Sequence, residues 1–97
     1  MAETAKPDFS AQYEYLRKLI VIARKKRNLT QREIARRMGQ PPSFVGKIEN
    51  GTRGIDVVEF VAWSKAADTK PQMILTKLLK RWPESQPPTE PLPDDSA

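Results

Sequence analysis

Residues 29–53, LTQREIARRMGQPPSFVGKIENGTR, satisfy their backbone and bury their apolar side chains best as two short helices joined by a tight turn. Thr30 can accept the N–H of residue 33 while Glu33 reaches back to the N–H of Thr30, a capping box that satisfies two orphan donors at once. Ile34, Ala35 and Met38 then share one face, and Ala35 is small enough to let another helix cross closely. Gly39 can take the left-handed conformation that stops the first helix. The second helix starts at Pro41 or Pro42, where the missing N–H is harmless, and buries Val45 and Ile48. Two helices in this relation form a helix-turn-helix.

The flanking sequence reads as more helix. Leu16, Leu19, Ile20 and Ala23 repeat at three- and four-residue spacing between Tyr13 and Lys26, and Asn28 can act as a left-handed C-cap. Asp56 with Glu59 offers another capping box, followed by Val57, Phe60, Val61, Trp63, Ser64 and Ala67, with Asp68 at the end. Pro71 opens a last helix in which Ile74, Leu75, Leu78, Leu79 and Trp82 recur at helical spacing while Lys77, Lys80 and Arg81 point outward; Pro83 stops it. The expected fold is all-α, a compact bundle of five helices in which helices 2 and 3 form the motif. The expected organisation is a disordered segment over residues 1–10, a helical domain over 11–82, and a proline-rich acidic disordered tail over 83–97.

Composition narrows the function. The chain of 97 residues has no cysteine and no histidine, which excludes disulfides, removes the usual zinc ligands and withholds the commonest general base. No nucleophile–base pair or carboxylate dyad recurs at a useful spacing, so neither an enzyme nor a cofactor or metal site is expected. No apolar run is long enough to span a membrane and no signal peptide is evident, which implies a cytoplasmic protein. The net charge is +5, and residues 83–97 hold four acids without a Lys or Arg, which leaves +9 on residues 1–82. A polyanion suits such a body, although a basic balance alone fits solubility or a membrane surface equally well.

The order Leu29-Thr30-Gln31, Ile34-Ala35, Gly39, Val45, Ile48-Glu49 and Gly51, with Asp56-Val57-Val58-Glu59-Phe60 beyond, resembles the lambda-repressor-like, Xre-type DNA-binding family from about Leu16 to Pro71. The resemblance implies that the second helix of the motif lies in the major groove of double-stranded DNA. Carried over position by position, the base readers are Pro42, Ser43, Phe44 and Lys47. Lys47 is the foremost, since an ammonium can donate to guanine O6 and N7. Pro42 and Gly46 lack the donors many relatives carry, so Pro42 and Phe44 would instead touch thymine methyl groups; partial core packing is the alternative for Phe44. Gln31, Asn50 and Arg53 are the implied phosphate contacts, with Lys26 and Arg27 behind them. Arg24 and Glu49 match a family ion pair that ties the first helix to the end of the recognition helix.

Family members generally bind as two-fold dimers, and Trp63, Leu75, Leu78, Leu79 and Trp82 are the candidates for a homodimer interface, unless they only close the monomer core. The reading is a sequence-specific regulator, a repressor on a palindromic operator. The alternative is an antitoxin or restriction-modification controller acting with a protein partner, and a third class is an interaction module without DNA binding. The acidic tail can contact such a partner or compete with DNA for the basic face.

Overall fold

Each helix boundary has a local chemical cause. The computed structural model describes residues 8–82, and among these the secondary structure is entirely helical: α1 Ser10–Lys26, α2 Gln31–Arg37, α3 Phe44–Glu49, α4 Val57–Ala66 and α5 Pro71–Lys80. The Asp8 carboxylate accepts the Ser10 N–H at 2.9 Å, so α1 begins one residue inside the segment expected to lack structure. The expectations for residues 1–7 and for the 83–97 tail lie outside the described residues. At the other end of α1, Asn28 adopts φ 56° and Leu29 donates back to the Arg24 carbonyl at 3.3 Å, the left-handed stop anticipated from its side chain.

Both capping boxes form. Thr30 Oγ1 accepts the Glu33 N–H at 3.0 Å and Glu33 Oε1 accepts the Thr30 N–H at 2.7 Å, which holds the Glu33 carboxyl below its usual range. Asp56 and Glu59 exchange the same pair of bonds at the start of α4. Gly39 closes α2 at φ 69°, and Asp68 closes α4 at φ 53°, a backbone that an aspartate tolerates less well than a glycine.

The core joins Ile20 of α1, Ile34 and Ala35 of α2, Val45 and Ile48 of α3, Trp63 of α4 with Ala67 at its C-cap, and Ile74 of α5, all buried. Each large side chain among them contributes about 1.5–3 kcal/mol by leaving water. α3 rests on α1 and α2, α2 also meets α4, and α5 closes the far side against α1 and α4. The recognition segment is therefore gripped from two sides and left open on its outer edge.

Three expectations need correction. α3 starts at Phe44 and not at Pro41 or Pro42, because the Phe44 N–H bonds to the Pro41 carbonyl at 3.0 Å and turns the two prolines and Ser43 into the entry to the helix. α5 ends at Lys80, so Trp82 lies past it. Trp63 is fully buried and stacks on Phe60, ring centroids 6.4 Å apart and planes 5° from parallel; it fills the core and has no surface to offer a second subunit.

Candidate nucleic-acid interface

α3 has only six residues, so its orientation depends on what holds its ends. At its last residue, Glu49 Oε2 accepts from Arg24 Nε at 2.7 Å, and Oε1 accepts from Arg24 Nη2 at 3.0 Å and from Gln31 Nε2 at 2.8 Å. Arg24 Nη1 also donates to the Leu29 carbonyl at 3.0 Å. One carboxylate thus joins α1, α2 and α3, and the side chains of the charged pair are only 12% and 7% exposed. The Arg24–Glu49 contact has the geometry the resemblance implied. Gln31, the side chain expected at a phosphate, takes part in it through its amide nitrogen and stays partly exposed.

Gly46 explains how α2 and α3 come so close. A Cβ there would stand 3.2 Å from Gln31 Oε1, so the residue noted in the sequence for lacking a donor leaves room for the Gln31–Glu49 bond. Sequence inspection had no signal for that role, because the neighbour comes from another helix.

Phe44 needs correction among the expected readers. Its ring is 6% exposed and faces the core, the alternative weighed for it, with the Arg53 guanidinium 4.5 Å above the centroid. It has almost no surface for a thymine methyl group. Arg53 is engaged as well: Nη1 and Nη2 donate to Glu59 Oε1 and Oε2 at 2.9 and 2.8 Å, and Nη1 also donates to the Gly54 carbonyl at 2.8 Å. The residue expected at a phosphate stays exposed and also fixes the α3–α4 loop over Phe44. Asn50 is exposed, and its Oδ1 accepts the Thr52 N–H at 2.8 Å, a turn that follows the helix.

What remains outward is a narrow edge. Ser43, Lys47 and Asn50 are exposed and spaced by four and three residues, hence aligned along one side of α3, with Pro42 exposed at its leading end. Next to Pro42 an open concavity of about 920 Å³ runs along α2 between Arg32 and Arg36. These two arginines share a face of α2 at four-residue spacing. Arg17 of α1 was not anticipated; its guanidinium lies against Gly51, where a Cβ would stand 3.2 Å away. Arg37 is structural, donating to the Ala66 carbonyl at 2.7 Å at the end of α4.

The Arg53–Glu59 pair gives a titratable mark of this loop. Hydrogen bonds from Arg53 first, and from the Asp56 N–H next, lower the Glu59 carboxyl from its ordinary 4.5 to about 2. A depressed carboxylate contributes stability above its unfolded pKa and loses it as pH falls through the folded one, so this contribution fades from about pH 4.5 down to about pH 2. An NMR titration should place the Glu59 midpoint near 2 in the native protein and higher in Arg53→Ala. A midpoint unchanged by that substitution would mean the pair does not form in solution.

Comparison with known proteins agrees with this geometry. A helix-turn-helix family model matches residues 20–74, from the middle of α1 into α5. An XRE-family like protein from Pseudomonas syringae pv. tomato str. DC3000 is 41% identical, with a TM-score of 0.72 over 75% of this chain and 89% of that one. The restriction-modification controller protein C.AhdI from Aeromonas hydrophila is 25% identical, with a TM-score of 0.61 over 66% of this chain and 97% of that one. The clp gene regulator ClgR from C. glutamicum, 16% identical, shares the fold with a TM-score of 0.66 over 82% of this chain and 100% of that one. No curated protein matches the chain significantly. Fold and motif together define a DNA-binding helix-turn-helix regulator and not an enzyme. The chain belongs to the XRE family. Among the described residues no helix is long and apolar enough to cross a membrane.

Proposed function

We propose that the protein is a sequence-specific transcriptional repressor that binds a palindromic operator in double-stranded DNA as a homodimer. The observation that carries this reading is the exposed Ser43–Lys47–Asn50 edge on a six-residue helix whose other sides are locked by Glu49, Val45 and Ile48. Lys47 donates to guanine and Ser43 reads its neighbour, while Pro42 supplies an apolar contact. Asn50, Arg17, Arg32 and Arg36 lie around this edge and take phosphates on either side of the groove. Hydrogen-bond readout by so few donors is thin, so DNA shape contributes to the choice of site.

Dimerisation is supported by α5 and by Trp82, two residues past its end. Leu75, Leu79 and Trp82 are exposed at four- and three-residue spacing, Leu79 by 72%, and Leu78 is half-buried behind them. A row of large apolar side chains of this kind suits a two-fold contact. A second reading, a controller of a restriction-modification operon, is favoured by the likeness to C.AhdI, which this chain matches over 97% of that protein's length. The DNA chemistry would be the same, with the protein partner or operon deciding the role.

A selection from random duplexes tests both parts. The native protein should enrich two inverted half-sites about one helical turn apart, roughly 34–36 Å. Lys47→Ala should relax one base position by about 1–3 kcal/mol, and Leu79→Asp should enrich isolated half-sites. Enrichment of no common sequence would refute sequence-specific binding, and an unchanged paired site from Leu79→Asp would remove α5 from the interface.

A further inference from the structure

An apolar recess with cationic walls lies away from the recognition edge, between α1 and α5, with a volume of about 330 Å³. Its floor is Leu19 and Ile74, both buried, with Ala23 between them, and Ile22 and Met73 stand half-exposed at the sides. Lys26, Arg27, Lys70 and Lys77 surround the opening. Asp68 is the acid at that rim, 3.8 Å from Arg27, and with both side chains well exposed it neutralises little. On α5, Met73 and Lys77 lie on one flank of the buried Ile74 and Leu75 and Leu79 on the other, so this recess is separate from the face assigned to dimerisation.

An apolar floor within four cations fits an acidic segment that carries an aliphatic side chain. The chain contains one. Residues 83–97 read PESQPPTEPLPDDSA, with Glu84, Glu90, Asp94 and Asp95, a single large apolar residue in Leu92, and no Lys or Arg to repel the rim. Its proline content favours an extended course of about 3.1 Å per residue, so the ten residues from Trp82 to Leu92 span about 30 Å. The way back along α5 is ten residues of helix, about 15 Å, with Lys70 and Trp82 just beyond its two ends. The reach is sufficient.

We propose that residues 84–95 fold back along α5 and occupy this recess, with Leu92 over Ala23 and Met73 and the four carboxylates facing Lys26, Arg27, Lys70 and Lys77. Docking neutralises basic charge where α1 leads into the helix-turn-helix and covers the two exposed apolar side chains. It does not depend on the protein binding an operator.

The absence of cysteine allows a direct test with the full chain. A nitroxide attached at Ser96→Cys should remove more than half of the amide NMR signal of Ala23, Met73 and Lys77, with recovery when the label is reduced. The loss should shrink several-fold in Lys70→Glu combined with Lys77→Glu, whose sites are exposed and outside the core. Groove signals that ignore the label would overturn the proposal, as would losses centred on Ser43 and Lys47. Mixing nitroxide-bearing, isotope-free protein with unlabelled-cysteine-free, isotope-enriched protein separates the other occupant: losses of equal size in that mixture would assign the recess to a second copy and overturn docking within one chain.

Discussion

Glu49→Ala should lower stability by about 3 kcal/mol and weaken DNA binding together, because it strands Arg24 in a site where the pair is almost sealed from water. The carboxylate is the common acceptor for Arg24 and Gln31, so its loss unpairs donors from two helices at once. In a domain of this size each kcal/mol moves Tm by roughly 4–8 °C, hence a fall of roughly 12–24 °C. Two controls separate charge from shape. Glu49→Gln keeps an acceptor for one donor and should lose less, and Arg24→Met with Glu49→Leu, which removes both charges, should recover much of the stability. Binding should not recover in that double variant to the same degree, because packing two apolar side chains does not reproduce the fork that sets the pitch of α3. A Glu49→Ala protein with the native Tm would show that the bridge contributes nothing.

Trp63→Ala is expected to be worse, at about 3–5 kcal/mol, the range for removing a large buried aromatic ring. A single small core supplies little more than that, so the variant should be largely unfolded at room temperature, seen as loss of the helical circular dichroism signal. Its indole N–H has no hydrogen-bond partner among the described residues, so the ring is held by packing against Phe60 and its neighbours and not by polarity. Trp63→Phe, which keeps much of the ring and deletes that unpaired donor, should therefore stay folded with a smaller loss. The two variants also discriminate between the expected interface role and the observed core role. A Trp63→Ala protein that stays folded but sediments as a smaller species would put the indole back at a subunit contact.

The parts of this fold that could be read in advance are those decided by neighbours in sequence. Thr30 with Glu33, Asp56 with Glu59, and the left-handed Asn28, Gly39 and Asp68 are local motifs, and each stands where its residue types put it. Ile34, Ala35, Val45 and Ile48 followed from helical spacing alone. Errors came where one side chain had to choose between solvent and another helix. Phe44 and Trp63 have apolar character compatible with both surroundings, and only the packing of the helices around one core decides for the interior. The bond from the Gln31 amide to Glu49 had no local signal, because the space for it is left by Gly46, fifteen positions later. Arg24 and Glu49 became legible only through the family resemblance, since nothing in a separation of twenty-five residues signals a bridge.

The recognition edge is the claim on which the functional reading depends, and the salt dependence of binding to a duplex tests it most directly. Each phosphate neutralised adds about 0.9 to the slope of log K against log salt, so the native protein should show a steep decline. Lys47→Ala should reduce affinity for the selected operator while leaving that slope and the affinity for unrelated duplexes almost unchanged, the behaviour of a base contact. Arg32→Ala should do the opposite, lowering both affinities and flattening the slope by about 1. An operator affinity insensitive to Lys47→Ala and Ser43→Ala, or no fall with salt at all, would contradict a protein that reads DNA with the outer edge of α3.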